Sequence, residues 1–179
     1  MAGTCTLYAH KNRGPRYAGH KELIAYFECT DGQNLAGAAI TNTEVVLITG
    51  DLTNANVSAP GGDTRPGELD LSQYENVTLY AYNGGDDEAL QLKIYTAPVQ
   101  TTKANKDAAY AAMTVGLNSA AEAYGWGLEG AAIAVAAVST VAPQKLSSTG
   151  GLIAVTGEVT ANHPYGSETI KIWLVGERA

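Results

Sequence analysis

The sequence predicts a mainly β fold, a barrel or sandwich of antiparallel hairpins, with one α-helix near 105–124 packed on the sheet. Three observations carry this reading. Apolar and polar residues alternate with period 2 along most of the chain. Glycine is abundant, 20 of 179 residues, and gathers with Asn, Asp and Pro in clusters that punctuate the alternating runs. One stretch alone departs from period 2 and follows helical spacing.

Thr4–His10 and Glu22–Thr30 read as the first two strands, and Thr43–Leu52 as the third. Pairing Thr6 with Glu28 in a first hairpin would set Cys5 opposite Cys29. A cytoplasmic, reducing origin favours free, buried thiols there over a disulfide. Residues 53–67 are rich in turn formers, and a loop of that length inside a compact domain is usually functional or mobile. In 76–97, Val77, Leu79 and Ala81 share one face, as do Leu90, Leu92 and Ile94. Asn83-Gly84-Gly85-Asp86-Asp87 lies between them as a turn, so the segment reads as a hairpin. Tyr110, Met113, Leu117, Ala120 or Ala121, and Tyr124 fall at helical spacing, with Asn105 to cap the start and Gly125 to stop the end. Gly116 inside that helix costs about 1 kcal/mol relative to Ala. Ala131–Val141 reads as a further strand, with a helix open as the alternative. Leu152–Ala161 and Glu168–Val175 flank the turn His163-Pro164-Tyr165-Gly166 as a last hairpin.

At 179 residues the expectation is one domain, 1–179, with the helix between a longer and a shorter β half. A chain of this size buries roughly 70% of its unfolded surface, enough for a core without staples. Hydrophobic residues make up 45%, which argues against disorder. The charged fraction, 16%, is low against a typical figure of about 25%. Few charges and many small residues suit either a surface covered by neighbouring subunits or a glycine-rich β protein with many turns. The net charge of −7 argues against specificity for nucleic acid or an anionic membrane, since phosphate affinity comes from basic groups. No leader pattern opens the sequence, and Ala131–Val138, the longest apolar run, is far short of a membrane span.

The charge is sorted by position. Residues 44–88 hold nine acids (Glu44, Asp51, Asp63, Glu68, Asp70, Glu75, Asp86, Asp87, Glu88) against Arg65 alone. Residues 11–21 hold Lys11, Arg13, Arg16 and Lys21, with His10 and His20 alongside. Complementary fields of this kind suit head-to-tail or partner docking.

Arrangements that would carry chemistry find little support. Cys5, His10, His20 and Cys29 are metal-ligand types, but their spacing lacks the short arms of a zinc site. No G-x-S-x-G elbow occurs. Asp86-Asp87-Glu88 lacks the order of a Ca²⁺ loop and reads as a solvated acidic turn. Glu68 and Asp70 share a strand face, which solvent exposure explains as well as acid–base work. Gly61–Gly67 lacks the G-K-[ST] ending of a phosphate loop. A non-enzyme without cofactor or metal is the expectation.

Tyr80, Tyr82 and Tyr95 fall opposite the aliphatic stripe of 76–97. Such a face serves as a subunit contact, as a second core layer under the helix, or as a sugar-stacking platform. The segments Tyr80-Ala81-Tyr82-Asn83-Gly84-Gly85 and Asn12-Arg13-Gly14-Pro15-Arg16 are a hairpin and a loop of the kind found in small β-rich accessory proteins of tailed-phage particles. In general texture the chain resembles the head decoration or cement proteins among them. That resemblance implies a non-catalytic protein, made in the host cytoplasm, that docks on a capsid lattice, often as a trimer, and stabilises it against internal pressure. The partners would be further copies of the chain and a capsid protein. Expected contact residues are Lys11, Arg13 and Arg16 on the basic side, Asp63, Arg65, Glu68 and Asp70 on the other, and Tyr80, Tyr82 and Tyr95. Two alternatives stand beside it: a self-polymerising tail-tube subunit, and a carbohydrate-binding module using Trp126, Trp173 and the tyrosine face.

Overall fold

The computed structural model describes residues 2–7, 21–49, 56–58, 71, 74–85, 88–113, 116–140, 143–146, 151–159 and 169–178. They form two mainly antiparallel sheets packed face to face, a β-sandwich, with a helical layer on one side. The larger sheet joins β10 (Gln144–Leu146), β5 (Tyr74–Asn83), β12 (Ile170–Arg178), β2 (Lys21–Cys29), β1 (Thr4–Leu7) and β4 (Val57–Ser58), in that order. A short β9 (Ser139–Thr140) also pairs with β5. The smaller sheet runs β3 (Val45–Thr49), β11 (Gly151–Val159), β6 (Leu90–Pro98), β7 (Gly127–Leu128), and β8 (Ile133–Val135) pairs with β6 as well.

The period-2 alternation builds the core. Val77, Leu79 and Ala81 of β5 with Ile170, Ile172 and Leu174 of β12 line one wall. Leu90, Leu92 and Ile94 of β6 with Ile153 and Val155 of β11 line the other. Fully burying an aliphatic side chain of this size is worth about 1.5–3 kcal/mol, so these stripes are the main force holding the sheets together.

Both later hairpins are corrected. β5 and β6 do not pair; they lie in opposite sheets, and so do β11 and β12. Each apolar stripe still faces inward, but across the sandwich from its sequence neighbour instead of beside it. The buried Asn83 holds the first of these arches: its Nδ2 donates to the Glu88 carbonyl (2.8 Å) and the Val135 carbonyl (3.1 Å), and its Oδ1 accepts from the Gly85 N–H (2.9 Å). Glu88, expected in a solvated acidic turn, is buried at that arch. Asp86, Asp87 and the His163–Gly166 turn lie outside the described residues.

The first hairpin is present with its register shifted by two. Cys5 faces Phe27 and Thr4 faces Glu28. Both cysteines are free and buried. Ala131–Val141 resolves into β8 and β9, with Val138 at a positive φ of 47° in the tight turn between them.

The helix is real but broken. α1 spans Lys103–Ala112 and α2 spans Ser119–Glu122. Thr102, not Asn105, caps α1, its hydroxyl accepting from the Asn105 N–H. Gly116 breaks the run at a φ of +77°, a conformation glycine adopts without strain. Gly125, at +85°, ends the second turn as expected. Tyr110, Met113 and Ala121 pack with Val46, Tyr95, Trp126, Leu152 and Ala154 on the outer face of the smaller sheet. Leu117 is left 38% exposed by the break. Strand β11 is thus covered on both sides, which explains its almost unbroken burial and its apolar run from Leu152 to Val155.

Candidate functional site

The outer face of the larger sheet carries no helical layer among the described residues, and its side chains form cross-strand rows. Trp173 at the centre of β12 lies opposite Tyr26 on β2 and Tyr80 on β5. The Tyr26 and Trp173 rings meet at 5.5 Å between centroids, and the Tyr26 hydroxyl donates to Glu28 Oε2 at 2.6 Å. In the next row Lys171 faces Glu28 and Tyr82, and Tyr82 faces Thr140. On the other side Val175 faces Leu23 and Thr78, and Thr78 faces Lys145. Tyr80 is 40% exposed.

An open groove of about 560 Å³ lies over this face, lined by Tyr80, Ala81, Thr140, Pro143, Trp173 and Val175. It sits where the edge partner of β5 changes. β10 faces Val77–Leu79, and β9 faces Tyr82 and Asn83. Tyr80 and Ala81 therefore have no strand partner on that side among the described residues. A smaller hollow of about 50 Å³ adjoins the groove through Tyr80 and Val175, with polar lining from Lys21, Asn76, Thr78, Lys145 and Glu177.

At one edge of the same sheet stand the strands that precede the two charged segments. β1 and β4 run parallel, with Cys5 beside Val57 and Thr6 beside Ser58. The basic segment 8–20 therefore leaves at Leu7, and the acidic segment 59–70 at Ser58, from the same end of adjacent strands. Lys11, Arg13, Arg16, Asp63, Arg65, Glu68 and Asp70 themselves lie outside the described residues, as do His10, His20 and His163.

Two expectations about aromatics are corrected. Tyr95 does not share a face with Tyr80 and Tyr82; it lies on the outside of the other sheet, buried under the helical layer. Trp126, named for the carbohydrate-binding alternative, is 3% exposed, and its indole N–H donates to the Ala109 carbonyl at 2.9 Å. Tyr26 was not singled out in the sequence, although its place two residues before Glu28 in an alternating strand puts it on the solvent face.

Beneath the α1–α2 joint lies a polar cluster that the sequence did not announce. The Glu44 carboxylate accepts from Lys93 Nζ (3.2 Å), the Tyr95 hydroxyl (2.7 Å) and the Thr156 hydroxyl. Lys93 also pairs with Glu158 at 3.2 Å. Burial works to lower the Lys93 pKa, but hydrogen bonds and charge from Glu44 and Glu158 outweigh it and hold the ammonium above its usual value. Burial first, then Glu44, push the Tyr95 hydroxyl above the ordinary tyrosine range. Gly116 packs directly on the carboxylate, where a Cβ would stand 2.6 Å from its carbon. These bonds tie the Glu44 segment to β6 and β11 within the smaller sheet, with Gly116 of the helical layer packed on top, which is a structural use.

Among the described residues no helix is long and apolar enough to cross a membrane, and no group of three or more His, Cys, Asp or Glu is placed to hold a metal. No family model, curated protein or solved structure matches the chain.

Proposed function

We propose that this chain is a non-catalytic structural protein of an ordered assembly, of the head-decoration or cement type, that docks on a capsid lattice and reinforces it. The observation that carries the reading is the common origin of the two charged segments. Residues 8–20 hold three bases and no acid, and 59–70 hold three acids and Arg65; they leave the sheet side by side at Leu7 and Ser58. Segments of opposite sign attached at neighbouring points suit docking on a copy of the chain or on a mixed-charge lattice, and such charge steers association at long range. The exposed Tyr80 and the half-buried Tyr82 supply apolar contact on the adjoining face.

Reversing Arg13 and Arg16 to Glu is expected to lower occupancy on particles while leaving the β circular-dichroism spectrum unchanged. Unchanged occupancy at physiological salt would contradict the proposal. Light scattering on the purified chain separates the nearest alternative: a monomer or closed oligomer fits lattice docking, whereas open-ended, concentration-dependent polymers fit a tail tube.

A further inference from the structure

We propose that the groove over Trp173 and Tyr80, together with the hollow beside it, is a binding site for an acidic oligosaccharide, one containing uronic-acid units. This goes beyond the assembly role and is tested without it; because Tyr80 belongs to both surfaces, a bound sugar and a docked partner exclude each other there. The groove's volume, about 560 Å³, lies within the range of small-ligand clefts. Its floor is aromatic and braced: Trp173 and Tyr80 stand opposite each other on adjacent strands, and Tyr26 supports Trp173 from the far side. A pyranose ring presents an apolar C–H face to such a floor and a rim of hydroxyls around it.

The rim finds its partners close by. Successive strand residues turn their backbone groups to alternate edges, so one of Tyr80 and Ala81 offers its N–H and C=O to the groove at the gap between β9 and β10. Thr140, Asn76 and Thr78 add side-chain donors and acceptors.

Charge selects an acidic sugar over a neutral one. The hollow sets Lys21 and Lys145 against Glu177 alone, and neither lysine forms an ion pair among the described residues. That is a local positive surplus on a chain of net charge −7. A uronate carboxylate on a unit beside the stacked ring neutralises it. A nucleic acid also stacks and is anionic, and the oligonucleotide arm of the test separates the two.

The test titrates the full chain with trigalacturonate and with its methyl ester, followed by tryptophan fluorescence and calorimetry. Saturable binding of the trisaccharide is expected, weakened roughly tenfold in Trp173→Ala. The double variant Lys21→Gln, Lys145→Gln changes exposed positions only, and is expected to bring the acid's affinity down to that of the ester. Absence of saturable binding by trigalacturonate and by a triguluronate run beside it would overturn the proposal. So would equal affinity of the wild-type chain for acid and ester, or tighter binding of a short single-stranded oligonucleotide.

Discussion

The two outer faces of this sandwich are built from similar alternating strands and treated in opposite ways. The smaller sheet turns Tyr95, Ala97, Leu152 and Ala154 outward and closes over them with α1, α2 and Trp126. The larger sheet turns Tyr26, Trp173, Tyr80 and Tyr82 outward with no such cover among the described residues. Each face has one tryptophan, so the pair isolates what the cover contributes. Aromatic area under a helical layer stabilises the fold; the same area left open serves a contact.

Substitutions that break this contrast are ranked by how much packing they remove. Trp126→Ala empties a fully enclosed site and orphans the Ala109 carbonyl, and is expected to cost about 3–5 kcal/mol in urea unfolding. Gly116→Ala forces a left-handed conformation and drives a methyl into the Glu44 carboxylate, at about 1–3 kcal/mol in the same assay. Trp173→Ala, half-buried on the open face, is expected to cost less, about 1–2 kcal/mol, from the tilted contact with Tyr26 and the partial burial of the ring. If Trp173→Ala proved as destabilising as Trp126→Ala, the open face would be a core surface.

A gentler lever is alkaline pH. Burial pushes the Cys5 thiol from its ordinary 9.0 up to about 12. Tyr95 and Lys93 shift in the same direction. For each, the unfolded chain releases its proton first, so the stability they hold is complete at neutral pH; the Cys5 share falls as pH climbs from 9.0 toward about 12, and the Tyr95 and Lys93 shares fall only as pH passes 10.0 and 10.5. Cys5→Ala should soften the early part of that fall, measured as the urea midpoint against pH. A midpoint that stays flat over this range would show that these groups do not titrate differently on unfolding.

The sequence declared which faces are apolar but not which strands are neighbours. Period 2 assigns Val77, Leu79 and Ala81 to one side of β5 and Leu90, Leu92 and Ile94 to one side of β6. It is silent on whether the turn between them closes a hairpin or arches over a core, because Asn83 and the glycines after it suit both. Gly116 foreshadowed the broken helix by its cost alone, since its reason is tertiary: the space is taken by Glu44, 72 positions away in sequence (116 − 44). The Glu44 cluster was illegible for the same cause, its partners lying 49, 51 and 112 residues along the chain. Tyr80 and Tyr82 were readable as outward residues. Tyr95 shared their alternation but not their fate, because only the fold decides which sheet receives the helices.

The most direct test of the contrast between faces is acrylamide quenching of single-tryptophan variants. Trp126→Phe leaves Trp173 as the reporter, and Trp173→Phe leaves Trp126. The account predicts efficient quenching of Trp173 and strong protection of Trp126 in the native chain, with both equal after unfolding in urea. Equal protection in the native state would contradict it, showing that the face of the larger sheet is closed as the other is.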